Sequence, residues 1–332
     1  MYQKSRFTLF TLSLLLSCSL FSFAAEPDNA PGLAPTDAQA GGARPGSLLF
    51  YNLYSSGAGG DHNTQISITN THPTRAAFVQ FFFIDGSTCA VADSSICLTP
   101  NQTFSFLTSD VDPGVTGYIM AVATAQETGV PISFNYLLGS EYVKLPTGHA
   151  VKLPAETIAA NFDGAFPLPR PNSVEAELKF NGRQYGRLPR VLALESISSP
   201  VTGNRTLLVL NSPGGKLATG VAPFRGFFGT LYDDAENPFA FLQAVNKCQF
   251  IARDLDDSFP NTTPTFSQNI LAGRTGWMRL WAANERPLIG AAIRLNRTSA
   301  TEHNAFNGGA NLNHLRLTET ASVTIPVFPP AC

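Results

Sequence analysis

Short stretches in which polar and apolar residues alternate dominate this chain. Residues 63–70, NTQISITN, have the two-residue period of a strand with one buried face. Residues 76–84 are apolar on both sides of such a strand except at Gln80, and Asp85 and Gly86 follow as a turn signal. Short strands with frequent turns are typical of all-β proteins and favour an antiparallel β-sandwich.

Two longer stretches repeat the same features in the same order. Residues 116–138 and 275–295 each contain Thr-Gly and an aromatic residue, an apolar strand, a polar turn and a second apolar strand led by proline. Residues 63–70 also match residues 204–211, so the offset between matching segments grows from 141 to 159 residues. Loop insertions in a duplicated unit produce such a drift. The sequence therefore predicts two tandem, related antiparallel β-sandwich domains of the immunoglobulin-like type, each stretch forming a hairpin.

The N-terminus has the pattern of a secretory signal peptide. Lys4 and Arg6 precede an apolar run over residues 7–21, and small residues lead to a predicted cleavage after Ala24. Lipidation at Cys18 is the competing interpretation.

The remaining organisation follows from composition. Residues 25–46 are rich in Pro, Ala and Gly and predict a flexible linker. The two sandwiches are predicted over residues 47–185 and 186–332.

Charge and hydropathy narrow the functional classes. The chain carries a formal net charge of −2, and loss of the two basic residues of the signal peptide lowers it to roughly −4, without the basic footprint of a nucleic-acid-binding protein. No other apolar run is long enough to span a bilayer. We expect a secreted, cell-surface or periplasmic protein without a transmembrane segment in the mature chain.

Four cysteines remain after export, and an even number in an oxidising compartment indicates disulfides. Three pairings are possible, and we favour Cys89 with Cys97 and Cys248 with Cys332. Their spacing does not match a zinc site.

Catalytic motifs are not found. The chain contains neither a Gly-x-Ser-x-Gly elbow nor a His-Glu-x-x-His pair. Two acidic loops offer oxygen ligands for calcium, although turn-forming aspartates are the simpler explanation. Their candidate ligands are Asp110, Asp112, Asp254, Asp256 and Asp257. We therefore expect no cofactor, with calcium as the alternative.

An aromatic strand face is the best candidate for ligand binding. Trp277, Arg279 and Trp281 share one side of the predicted strand, and pairing with residues 287–295 would bring Arg294 near them. Indole rings around a guanidinium stack on sugar rings or form domain contacts. The alternative is that both tryptophans lie inside, under a loop or against the first domain.

Four motifs in the first predicted domain carry a resemblance: YNLYSS at 51–56, DVDPG at 110–114, TGYI at 116–119 and EYVKL at 141–145. With them, residues 48–160 resemble an uncharacterised group of exported bacterial proteins. The resemblance implies a bacterial origin and export, and it supplies no activity.

These observations predict an exported, non-catalytic protein with a structural or binding, adhesive role at or outside the cell surface. Other surface proteins or glycans are the expected partners. A carbohydrate-binding module that uses the aromatic face is the alternative, and a hydrolase with an unrecognised site is a third hypothesis.

Overall fold

The computed structural model describes residues 44–57, 61–166, 168, 173–252, 254–283, 286–296 and 307–329. The predicted signal peptide and Cys18 lie outside these residues, as does most of the predicted linker. The described residues belong to one compact unit. Within these ranges, no helix is long and apolar enough to cross a membrane.

Strands account for most of the regular structure, because the chain alternates polar and apolar residues between closely spaced turns. The first half contains β1 (Leu48–Ser55), β2 (Asn63–Asn70), β3 (Ala77–Asp85), β4 (Val91–Leu98), β5 (Thr103–Leu107), β6 (Thr116–Thr124), β7 (Leu137–Lys144), β8 (Ala150–Pro154), β9 (Glu156–Ile158) and β10 (Glu175–Lys179). The second half contains β11 (Pro189–Ser198), β12 (Asn204–Asn211), β13 (Gly215–Lys216), β14 (Phe224–Tyr232), β15 (Pro238–Lys247), β16 (Gln249–Ala252), helix α1 (Phe266–Asn269), β17 (Thr275–Ala282), β18 (Ile289–Asn296), β19 (Gly308–Asn311), β20 (Asn313–Leu317) and β21 (Ser322–Pro326).

Within the described residues the strands form five small sheets. They are sheet I (β4-β3-β6-β1-β9), sheet II (β5-β2-β7-β8), sheet III (β16-β12-β18-β19), sheet IV (β15-β14-β17-β11-β20) and sheet V (β10-β21-β13). The prediction of two tandem immunoglobulin-like sandwiches is wrong, because the five sheets are arranged as a five-bladed β-propeller. Sheet V shows why the chain does not divide into two independent sandwiches: it joins β10 from the first half to β13 and β21 from the second.

Hydrophobic clusters lie between successive sheets. Phe50 and Met120 of sheet I belong to the same cluster as Leu178 of sheet V, and the opposite side of sheet I packs with sheet II around Tyr51 and Ile68. The remaining two clusters join sheets II and III and sheets III and IV. Every sheet therefore buries apolar side chains against a neighbour, which is the main source of stability of such layered folds.

The two predicted hairpins do not form. β6 lies in sheet I between β1 and β3, whereas β7 lies in sheet II. In the same way β17 pairs with β11 and β14 in sheet IV, and β18 pairs with β12 and β19 in sheet III. After the first turn the chain makes only an isolated antiparallel bridge with β6, between Thr124 and Pro131, before β7 begins in sheet II. After the second turn β18 crosses to sheet III.

The Thr-Gly motifs nevertheless occupy corresponding places. β6 is flanked by β1 and β3 in sheet I, and β17 by β11 and β14 in sheet IV. A Cβ atom on Gly117 would stand 1.8 Å from the carbonyl oxygen of Ile84. On Gly276 it would stand 2.5 Å from the carbonyl oxygen of Tyr232. Both glycines are required by close approach of the adjacent strand.

The disulfides also differ from the prediction. Cys89 bonds to Cys248, across 159 residues of sequence, with Cα atoms 5.4 Å apart. Cys97 is disulfide-bonded to a cysteine other than these two, and Cys332 lies outside the described residues. The predicted pairs Cys89–Cys97 and Cys248–Cys332 are therefore wrong. The observed bond ties the β3–β4 turn to the junction of β15 and β16.

Candidate functional site

The aromatic face of sheet IV is built on β17. Met278 and Leu280 point into the core and are fully buried. The alternating residues Trp277, Arg279 and Trp281 occupy the opposite side, because successive side chains of a strand point to opposite faces. This face is directed away from the hydrophobic cluster between sheets III and IV.

Two aromatic pairs stand on this face. The ring of Tyr232 on β14 stacks on Trp277, with centroids 4.7 Å apart and planes 11° from parallel. Phe228 stacks on Trp281 at 6.1 Å and 21°. Leu242 of β15 lies opposite Phe228 in the strand register and is 59% exposed. The face therefore extends over three strands.

Arg279 and Thr230 lie between the two pairs and are directly opposite one another in the register. The guanidinium carbon of Arg279 is 5.9 Å from the ring centroid of Trp277, within the range of a cation–π contact. Trp277 and Trp281 are four residues apart on one strand, which separates their backbone positions by ~13 Å. The floor between the aromatic pairs is thus polar and cationic.

The two ends of this face differ in exposure. Trp277 and its partner Tyr232 are half-buried, as is Phe228. Trp281 is only 8% exposed, and Val191 beside it is 1% exposed. The tryptophans are therefore not equivalent: Trp277 offers surface to a ligand, and Trp281 supports the face from within.

Polar groups border the Trp277 end. Arg274, three residues before Trp277, forms an ion pair with Asp234 at 2.9 Å. Asp233 next to it accepts hydrogen bonds from the side chain and backbone of Asn237, and the side-chain bond in particular lowers the pKa of Asp233. Hydrogen-bonding groups beside a partly exposed aromatic ring suit a polar, ring-shaped ligand.

Arg294 does not belong to this face. It lies on β18 in sheet III, and its guanidinium donates to the backbone oxygen of Glu195 at 2.7 Å. The prediction that Arg294 approaches the tryptophans depended on a hairpin of β17 and β18 that does not form.

The candidate calcium ligands lie in hydrogen-bonded turns. Asp256 accepts from Ser258, Asp257 accepts from Ser267, and Asp112 accepts from the Tyr54 hydroxyl at 2.6 Å. Asp110 and Asp254 are the other two predicted ligands. Within the described ranges no group of three or more His, Cys, Asp or Glu is positioned to hold a metal ion.

A buried polar cluster joins sheet I to sheets II, III and IV, and its contact with sheet III is the Asn52 amide donating to the backbone oxygen of Gly290 at 3.3 Å. The amide of Asn52 donates to Glu156 at 2.9 Å, and the other carboxylate oxygen of Glu156 lies 3.2 Å from Nε2 of His314. Nearby, Glu141 accepts from the backbone nitrogen of Leu53, and burial raises its pKa well above the usual value. These side chains link the two halves of the chain, and Asn52, Glu141 and Glu156 are buried.

The contributions of Tyr232, Phe228 and Leu242 were missed by sequence reasoning. Residues 224–232 contain aromatic residues at strand spacing, which was the available signal. Their position beside β17 depends on long-range strand pairing. Tyr232 pairs with Trp277 across 45 residues, and Phe227 pairs with Ala282 across 55.

Comparison of this chain with protein-family models, curated proteins and solved structures finds no match.

Proposed function

We propose that this chain is an exported binding protein without catalysis of its own, and that its ligand surface is the aromatic face of sheet IV. The observation that carries the proposal is the half-buried, nearly parallel pair of Tyr232 and Trp277 beside polar groups. Large aromatic side chains that remain partly accessible on a rigid strand lose little conformational entropy when they bind.

Carbohydrate is the ligand class that this arrangement fits best. Sugar rings combine apolar faces with hydroxyl groups, so they pack on an aromatic ring while they exchange hydrogen bonds at its edge. The Trp277 end offers both, with Arg274 and Asp234 at the border. An adhesive contact with another surface protein is the second candidate, favoured by the exposed Leu242 on edge strand β15.

Export is part of this proposal. The N-terminal pattern of a signal peptide and the presence of disulfides both support an oxidising compartment. Cell fractionation of the producing organism tests it, and recovery of a full-length, reduced chain from the cytoplasm would contradict it.

Tryptophan fluorescence gives a direct test of the ligand surface. The chain contains two tryptophans, and both lie on this face. A Trp281→Phe variant keeps Trp277 as its single indole, so a change in emission during titration with soluble oligosaccharides reports contact at that ring.

Two matched variants show whether oligosaccharides bind at Trp277. Trp277→Ala should weaken oligosaccharide binding by about tenfold or more, since a central aromatic contact dominates such interfaces. Tyr142→Ala removes a 49% exposed aromatic ring from sheet II and should leave binding unchanged. Binding that survives Trp277→Ala, or failure of all oligosaccharides and polysaccharides tested to bind, would refute the carbohydrate proposal.

A further inference from the structure

A concave surface lies at the end of β15, beside residues that do not belong to the aromatic face. Three pieces of chain form it: the β3–β4 turn at Gly86 and Ser87, the start of β6 at Thr116, and residues 244–247 of β15 with residues 249–251 of β16. The cleft has a volume of about 550 Å³. Sites for small molecules usually enclose ~300–1,000 Å³, so its size suits a ligand of one or two sugar-sized rings.

The floor of this cleft contains Gln249, which is 4% exposed. Its side-chain nitrogen donates to the backbone oxygens of Asn52 at 3.1 Å and Gly117 at 2.9 Å. These bonds fix the orientation of the amide. The side-chain oxygen Oε1 is buried and has no hydrogen-bond partner among the described residues.

Gly86 lies directly beside this oxygen, and a side chain at position 86 would crowd Gln249. A Cβ atom at that position would lie 3.0 Å from Gln249 Oε1 and 2.8 Å from Gln249 Cβ. Buried acceptors in folded proteins are nearly always satisfied, because an unpaired one loses its hydration without compensation. A hydroxyl group of a ligand would supply the missing donor.

The remaining lining supplies donors and one cation. Ser87 and Asn246 are exposed polar residues, and Phe250 contributes a half-buried ring. Of the described residues that line the cleft, only Lys247 carries a charge. A small anion that also carries hydroxyl groups can pair with Lys247 and form hydrogen bonds with Ser87, Asn246 and Gln249.

The walls are held in place without a ligand. The backbone nitrogens of Cys248 and Gln249 both donate to the oxygen of Gly86, at 3.0 and 3.1 Å, and the Cys89–Cys248 disulfide joins the same two segments. A site whose geometry exists before binding loses less entropy when the ligand arrives.

We propose that this cleft binds a small hydroxylated carboxylate, of which a sugar acid is the representative, with Lys247 at the carboxylate and Gln249 Oε1 accepting from a hydroxyl. The site shares no residue with the aromatic face and does not depend on it.

Isothermal titration of the full chain with D-galacturonate tests the proposal, and neutral D-galactose is the matched probe. Galacturonate should bind, and galactose should bind about tenfold more weakly or not at all, because it lacks the charge that Lys247 complements. Lys247→Ala should weaken galacturonate binding by about tenfold, and Ser87→Trp should abolish it by filling the cleft. Both positions are exposed, so neither variant should disturb folding.

Two control variants complete the experiment. Lys216→Ala removes an exposed lysine on β13, and Trp277→Ala removes the half-buried indole of the aromatic face. Both should leave galacturonate binding unchanged, so failure at one site is distinguishable from failure at the other. The proposal is overturned if galacturonate does not bind at concentrations up to about 10 mM, well above the dissociation constant expected of a specific site. Binding that Lys247→Ala and Ser87→Trp do not alter also overturns it.

Discussion

Removal of the Cys89–Cys248 disulfide should lower the free energy of unfolding substantially, because the bond closes a loop with a sequence separation of 159. In the chain-entropy model a link of this length removes ~17 cal/mol/K from the unfolded chain, or about 5 kcal/mol at 25 °C. The predicted Cys89–Cys97 pair would have contributed only about 2.6 kcal/mol by the same relation. The size of the measured loss in unfolding free energy therefore distinguishes the Cys89–Cys248 pairing from the Cys89–Cys97 pairing.

The perturbation is the double variant Cys89→Ala, Cys248→Ala. Cys97 keeps its own disulfide, so the unfolded variant stays partly constrained and the expected loss is about 3–5 kcal/mol. Urea unfolding followed by tryptophan fluorescence measures this loss. The dependence of the unfolding free energy on urea should also steepen, because the freed chain exposes more surface.

Non-reducing digestion with mass spectrometry provides the independent check. The wild-type chain should yield a peptide pair that joins Cys89 to Cys248. A loss below about 1 kcal/mol with an unchanged urea dependence would refute the entropy argument, and a peptide that joins Cys89 to Cys97 would refute the connectivity itself.

Three further predictions concern the core, a buried carboxyl and the acidic loops. Gly117→Ala should destabilise the fold by more than about 3 kcal/mol, because the added Cβ would collide with the backbone oxygen of Ile84. In the control variant Gly186→Ala, the added Cβ would lie 3.5 Å from its nearest neighbour, so the loss of stability should be far smaller. Similar urea midpoints for the two variants would contradict this prediction. Burial raises the pKa of Glu141 above its unfolded value of 4.5, so stability should fall as the pH rises from 4.5 through the folded pKa. Glu141→Gln keeps an acceptor for the backbone nitrogen of Leu53 and should remove this pH dependence of stability. If the stability of the variant and of the wild type changes with pH in the same way, the prediction is wrong. If calcium binds the acidic loops, a chelator should lower the melting temperature, and an unchanged melt would end that hypothesis.

Several strands were accessible to sequence reasoning. Residues 63–70 alternate polar and apolar side chains, and β2 spans Asn63–Asn70. The alternation over residues 277–281 likewise separates a buried side from an outward one. Both patterns are local, because the two-residue period follows from the geometry of a single strand.

Sheet membership and long-range pairing were not accessible. A turn after β17 is equally compatible with a return beside β17 and with a crossing to sheet III, so the sequence suggested a hairpin that does not exist. For the same reason Arg294 was placed beside the tryptophans, although it lies on β18. The partners of β17 that complete the aromatic face, Tyr232 and Phe228, come from a strand separated from it by other elements.

The sequence by itself determined the all-β character, the positions of strands such as β2 and β17, and the side of β17 on which Trp277 lies, since each depends on neighbouring residues alone. Only the tertiary structure decided that five sheets form, that Cys89 bonds to Cys248, and that Gln249 lies at the floor of a cleft. These features depend on which distant segments bury their apolar surfaces together, and many arrangements of the same strands satisfy the local pattern equally well.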